Sequence, residues 1–140
     1  MAGIKDLGTL LSSIDPVLDE RSFVFCTFPE FHWDDVHQLN PIGFFHEKEG
    51  LTLIITQQEA INKNINYESV YKLISLNVHS SLDAVGLTAA FSTKLAEKNI
   101  SANVLAAYYH DHIFVPEEKA EQALAAISEF RLQSHPVRLK

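Results

Sequence analysis

The chain has 140 residues, enough for one ordinary domain or two of the smallest independently folding size. Hydrophobic residues make up 46% and charged residues 21%, a globular composition that excludes general disorder. A formal net charge of −7 and a pI near 5.4, without any Lys/Arg cluster, argue against binding to a nucleic-acid backbone.

The N-terminal segment MAGIKDLGTLLSSI sets Ile4, Leu7, Leu10, Leu11 and Ile14 at helical spacing, which predicts a packed helix. Lys5 and Asp6 interrupt any signal-peptide core, and no run reaches the roughly 18 apolar residues of a membrane span. Cys26 is the single cysteine and lies within SFVFCTF, so no intrachain disulfide can form and a buried strand thiol is expected. These features predict a soluble protein of a reducing cytoplasm.

After a break at Pro16, the pattern predicts an aromatic strand from Phe23 to Phe28, the loop FPEFHWDDVHQLNP, and a strand near Ile42 to His46. A turn at Lys48 to Gly50, a strand from Leu51 to Thr56 and a short helix from Gln57 to Lys63 follow. Within the long loop, Phe31, His32, Trp33, Asp34, Asp35 and His37 form an aromatic, acidic group. It would either lid a pocket for an amino-bearing ligand or plug the end of this half. The polar stretch INKNINYE marks a boundary around Asn64 to Glu68, dividing the chain into residues 1–66 and 67–140.

The second half reads as β-α-β-β-α-β: a strand from Tyr71 to Val78, a helix from Val85 to Lys98, strands Asn103 to Tyr109 and His112 to Val115, a helix from Glu117 to Ile127, and a strand from Phe130 to Gln133. Leu87, Phe91 and Leu95 make one apolar stripe, and Ala120, Leu124 and Ile127 another. Right-handed crossovers in this order put both helices on one face of an antiparallel sheet. Its other face, or an edge, is then open to a second copy.

The loop Ser80, Ser81, Leu82, Asp83 leads into a helix whose first turn holds Val85, Gly86, Leu87 and Thr88. The first N–H groups of a helix lack intrahelical partners and lie at the positive end of its dipole, so a ligand carboxylate or phosphate is stabilised there. Asp83 either caps this helix or meets an α-ammonium. Asn99 is the expected helix stop. Gly86 within the first turn points to close approach by another group, ligand or packed chain. His110, Asp111 and His112 are expected at a hairpin tip, as plain turn residues, as part of a zinc site completed by His79 or His46, or as a ligand or subunit contact. Tyr108 and Tyr109 should alternate faces, one packing beneath the helices.

The stretch SLDAVGLTAAFSTKLAEKNISANVLAAYYHDHIFVPEEKAEQAL, with EGLTLII at Glu49 to Ile55, resembles ACT-like amino-acid-binding regulatory domains, specifically small stand-alone proteins built from two of them. The resemblance implies an α+β fold of tandem ferredoxin-like modules, antiparallel sheets with helices on one face, and an incomplete or rearranged first module. It implies a non-enzymatic regulatory protein that binds a small amino acid, needs no cofactor or metal, and forms a homodimer. The implied contacts are Ser81, Asp83, Val85, Gly86, Leu87, Thr88 and Asn103, with His110, Asp111 and His112 on a contact surface. Two other readings remain: a small metal-dependent enzyme using His110 and His112, and a structural interaction module without a ligand. No GxSxG, P-loop or Rossmann glycine pattern supports an enzyme.

Overall fold

The computed structural model describes residues 6–77 and 85–134. The expected strand end at Val78, His79, the loop residues Ser80 to Asp83, and Ile4 lie outside them. Packing divides the chain into two compact units, Glu20–Lys72 and the combination of Met1–Asp19 with Leu73–Lys140.

The combined unit starts with α1 (Leu7–Ser13), capped by Asp6, whose Oδ2 accepts from the Thr9 N–H at 2.9 Å and the Thr9 hydroxyl at 2.7 Å. These bonds hold the Asp6 carboxyl below its ordinary pKa, since they favour the charged form. Strand β1 (Pro16–Phe28) is far longer than the expected Phe23 to Phe28. Pro16 opens it instead of separating it from the helix, which suits a residue without an N–H at the first position of a strand. Where β1 begins and β4 (Tyr71–Leu76) ends, the Asn77 N–H donates to the Asp15 carbonyl at 3.0 Å. Beyond β4 come β6 (Asp111–Pro116) and then β5 (Asn103–Ala106), paired antiparallel with Asn103 opposite Phe114 and Ala106 opposite Asp111.

Three helices of this unit share a core: α1, α4 (Leu87–Glu97) and α5 (Ala120–Ser134), the last following a single 3-10 turn at Glu117–Lys119. Leu10, Ile74, Phe91, Leu95, Ile113 and Ile127 are wholly buried in it. Burying each such side chain contributes about 1.5–3 kcal/mol. The expected strand from Phe130 to Gln133 is absent, because α5 runs through it. Ala123, Ala126, Ile127 and Phe130 keep helical spacing and face the core, while Glu129 pairs with Lys94 of α4 at 3.0 Å. The position beside β4 that a fourth strand would fill belongs to the start of β1.

The Glu20–Lys72 unit has the strand order β2-β3-β1, with β2 (Gly43–Glu47) outermost and β3 (Gly50–Thr56) central. Both pairings are antiparallel; Cys26 faces Leu53 across one and Phe45 faces Thr52 across the other. Helices α2 (Trp33–Gln38) and α3 (Gln57–Asn62) complete it. Val24, Cys26, Val36, Leu51, Leu53 and Ile55 form its core. Thr56 caps α3 by accepting from the Glu59 N–H at 3.1 Å.

Three helices stop in the same way. Asn40, Asn64 and Asn99 follow α2, α3 and α4 with φ of 49°, 60° and 60°, the left-handed conformation that asparagine tolerates better than most residues. After α4, the Ile100 N–H donates to the Leu95 carbonyl and the Asn99 N–H to the Ala96 carbonyl, each at 2.9 Å. This Schellman arrangement confirms Asn99 as the stop and drives Ile100 into the core beside Leu95.

Candidate functional site

The start of α4 is set by Gly86, its N-cap, at φ 95° and ψ −13°. No side chain caps this end among the described residues; Asp83, the expected cap, lies outside them, and the N-cap position is three residues further on. The Ala90 N–H is the first to find a helical acceptor, the Gly86 carbonyl at 2.9 Å, so the N–H groups of Leu87, Thr88 and Ala89 precede the helical ladder. Val85 is 82% exposed beside them and Thr88 is exposed, whereas the Leu87 side chain is buried in the core. Leu87 therefore offers a backbone donor only.

The close approach foreseen at Gly86 comes from within the chain. A Cβ placed there would lie 3.1 Å from Leu7 Cδ2 of α1. Leu7 and Gly86 also line an open groove of 570 Å³ with Ala90, Lys94, Glu97 and Phe130. Sequence reasoning missed Leu7 as a neighbour of this turn, although its place on the apolar stripe of α1 was visible.

The hairpin residues separate. Its tip is Tyr108 and Tyr109, not His110 to His112, because the Ala107 N–H donates to the His110 carbonyl at 3.1 Å and closes the turn there. Both tyrosines are exposed, at 64% and 60%, and pack edge to face with ring centres 4.9 Å apart, so neither lies beneath the helices. Asp111 is buried within β6, and burial raises its carboxyl pKa against the smaller opposing pull of His112 and His110. His112 projects from the other side of the strand, where its Nδ1 lies 2.8 Å from Ser75 Oγ of β4. Burial, reinforced by His110, lowers the His112 pKa, and the carboxylate of Asp111 opposes this only in part. Ser75 was a missed partner; strand alternation places it and His112 on one face. Asn103 sits at the start of β5 with its amide 3.4 Å from the Phe114 carbonyl. Among the described residues no three His, Cys, Asp or Glu side chains converge as metal ligands.

In the other unit, Phe31 and Trp33 pack edge to face at 5.0 Å, and Trp33 continues to Phe44 at 5.4 Å and His46 at 5.7 Å. The aromatic loop is thus joined to the outer strand β2.

Two ACT domain family models match the chain in tandem, over residues 2–72 and 68–129. The chain belongs to the ACT domain family. A Vibrio cholerae protein of unknown function, described as a possible transport protein, is 52% identical with a TM-score of 0.82, covering 93% of this chain and 99% of its own. The regulatory subunit of aspartate kinase from Thermus flavus is 13% identical with a TM-score of 0.59, over 84% of this chain and 98% of that one. The Clostridium acetobutylicum aspartate kinase, described as an allosteric enzyme, is 12% identical with a TM-score of 0.61; this chain covers 82% of itself but 34% of the enzyme. No curated protein matches. The family and its architecture bear out the expected α+β, tandem ferredoxin-like fold, and point to a regulatory role. No helix among the described residues is long and apolar enough to cross a membrane.

Proposed function

We propose that this chain is a non-enzymatic regulatory protein of the cytoplasm that binds a small amino acid at the start of α4 and works as a homodimer. Its two modules divide in sequence at residues 66 and 67, with the N-terminal helix and the start of β1 lent to the second. The observation that carries the reading is the α4 N-terminus: Gly86 at φ 95° lets the chain enter the helix without a side-chain cap, leaving N–H groups for a ligand carboxylate. Val85 and Thr88 flank that position, and Ser81, Asp83, Asn103 and His110 to His112 are assigned to the same ligand as further contacts. The regulatory aspartate kinase neighbours support a sensing role through the fold they share. The homodimer is supported by β2, an outermost strand whose Phe44 and Phe45 are 50% and 71% exposed.

The test is a thermal-shift screen of the free amino acids on the wild-type protein and on Val85→Asp. A saturating ligand at 100 times its dissociation constant adds about 2.7 kcal/mol of stability. A carboxylate at position 85 favours the helix dipole but repels a ligand carboxylate, so it should raise the basal melting temperature slightly while abolishing the ligand shift. A flat wild-type response removes the sensor reading. An equal ligand shift in Val85→Asp places the site elsewhere.

A further inference from the structure

One face of the sheet in the Glu20–Lys72 unit is covered by helices, and the other carries a cavity. Val24, Cys26, Leu51 and Leu53 turn towards the core that Val36 of α2 and Ala60 of α3 complete. Side chains alternate along a strand, so Phe25 and Thr27 of β1 and Thr52 of β3 stand on the opposite face. The register puts Thr27 directly opposite Thr52, and Cβ atoms so paired lie about 4.5–5.5 Å apart. Glu47 of β2 reaches the same place, where its Oε1 accepts from the Thr52 hydroxyl. The Tyr71 ring packs edge to face on Phe25, with centres 5.3 Å apart. These side chains line one cavity of 670 Å³, bounded on another side by the chain from Asn66 to Ser69, which includes Glu68.

The charge of this cavity has one sign. Among the described residues no Lys, Arg or His lines it, and neither Glu47 nor Glu68 has an ion-pair partner. A carboxylate beside aromatic rings attracts an organic cation in two ways, by its charge and through the negative ring face. The second contact already occurs on this face of β1: the Arg21 guanidinium carbon lies 4.9 Å from the centre of the Phe23 ring, two residues before Phe25. An anion or zwitterion would instead bring a carboxylate against the two glutamates, with no cation on the wall to receive it.

We propose that this cavity takes a small organic dication without a carboxylate, of the alkyl diamine class. Glu47 and Glu68 each receive one ammonium, the methylenes lie along Phe25 and Tyr71, and the Thr27 hydroxyl accepts a further N–H. A monoamine leaves one glutamate unpaired, and a hydrated metal dication has no hydrocarbon for the rings to cover. The site lies in the other unit from the start of α4 and excludes the carboxylate that the α4 reading requires, so the two readings stand independently.

The experiment titrates the full chain with butane-1,4-diamine and pentane-1,5-diamine by calorimetry at constant ionic strength. Butylamine, L-lysine and magnesium chloride are titrated in parallel; L-lysine is pentane-1,5-diamine with a carboxylate added, and magnesium reports bare attraction to a chain of net charge −7. At least one diamine should bind saturably at one site, with all three comparison compounds weaker by about tenfold or more. Glu47→Gln and Glu68→Gln should each raise the dissociation constant of the diamine by about tenfold, and two exposed substitutions on separate segments guard against a folding defect in one. Glu30→Gln, which removes an exposed carboxylate outside the cavity, should leave it unchanged, as should Val85→Asp. The proposal is overturned by no saturable binding of either diamine, by unaltered binding in both cavity variants, or by an equal loss in Glu30→Gln. Equal binding of magnesium or butylamine would overturn it too, and L-lysine binding as tightly as pentane-1,5-diamine would replace it with an amino-acid site.

Discussion

Leu7 Cδ2 stands 3.1 Å from the point where any side chain at position 86 would begin, so the first helix of the chain is fitted to the missing Cβ of Gly86. Two separate penalties should follow for Gly86→Ala. An L-residue at φ 95° carries about 1–2 kcal/mol of backbone strain, and the methyl must also displace Leu7. In a double-mutant cycle measured by urea unfolding, Leu7→Ala should recover the steric part in the Gly86→Ala background and leave the strain. Full additivity would show that Leu7 and position 86 do not touch.

His112 and Asp111 should give the stability a two-sided pH dependence. The folded state holds the His112 pKa below its ordinary value, so folding binds fewer protons in that window. Stability should therefore fall as the pH drops below about 6.5 and towards the lowered folded value. Asp111 has the opposite sign: its raised pKa means that protonation relieves the burial of a charge, so acidification below the folded value restores some stability. His112→Gln, which can still bond to Ser75, should flatten the first limb and keep the second. Chemical denaturation across pH 4 to 8 checks this, and an unchanged acid limb in the variant would count against the assignment.

Cys26 is 8% exposed, its thiol points at the Leu53 carbonyl at 3.8 Å, and burial raises its pKa. Little thiolate is then present at neutral pH, and thiolate is the reactive form. Reaction with a disulfide reagent should be slow in the native protein and rapid in denaturant. Fast native labelling would show that β1 opens in this region.

Phe45 is the most exposed large apolar side chain of β2, and the proposed homodimer makes use of that strand. Phe45→Asp should shift the assembly to monomer in analytical ultracentrifugation while leaving the melting temperature within about 0.5 kcal/mol equivalent of stability, as expected for a surface change. A wild-type monomer at all concentrations would remove the homodimer, and a dimer that survives Phe45→Asp would move the interface off β2.

Local signals were legible in the residues themselves. Leu87, Phe91 and Leu95 mark the buried face of α4, Asn99 its stop, and the paired runs around Lys48 to Gly50 the β2–β3 turn. The errors came where distant parts of the chain decide the outcome. Phe130 to Gln133 carries enough β-compatible residues to pass for a strand, but Phe130 is held by the helical spacing of Ala123, Ala126 and Ile127, and Lys94 anchors Glu129 from another helix. The length of β1 was hidden because Val17 to Arg21 do not form a continuous apolar run and Pro16 looked like a break. At the candidate site, Gly86 was conspicuous as a glycine in a helix start, but only tertiary packing could identify Leu7 as the group that approaches it. Tyr108 and Tyr109 were misassigned because alternation was extended beyond Ala106, where the ladder stops and the turn begins.

The packing of α1 against α5 has a consequence during synthesis. Leu10 and Ile14 are buried in a core to which α5 contributes Ile127 and Phe130, and those residues are made more than a hundred positions later. At about 5–20 residues per second the ribosome leaves that apolar stripe without its lasting partner for on the order of ten seconds. Through that interval the nascent chain presents a short sticky helix to whatever is nearby, and chaperones that hold such segments would find their substrate here.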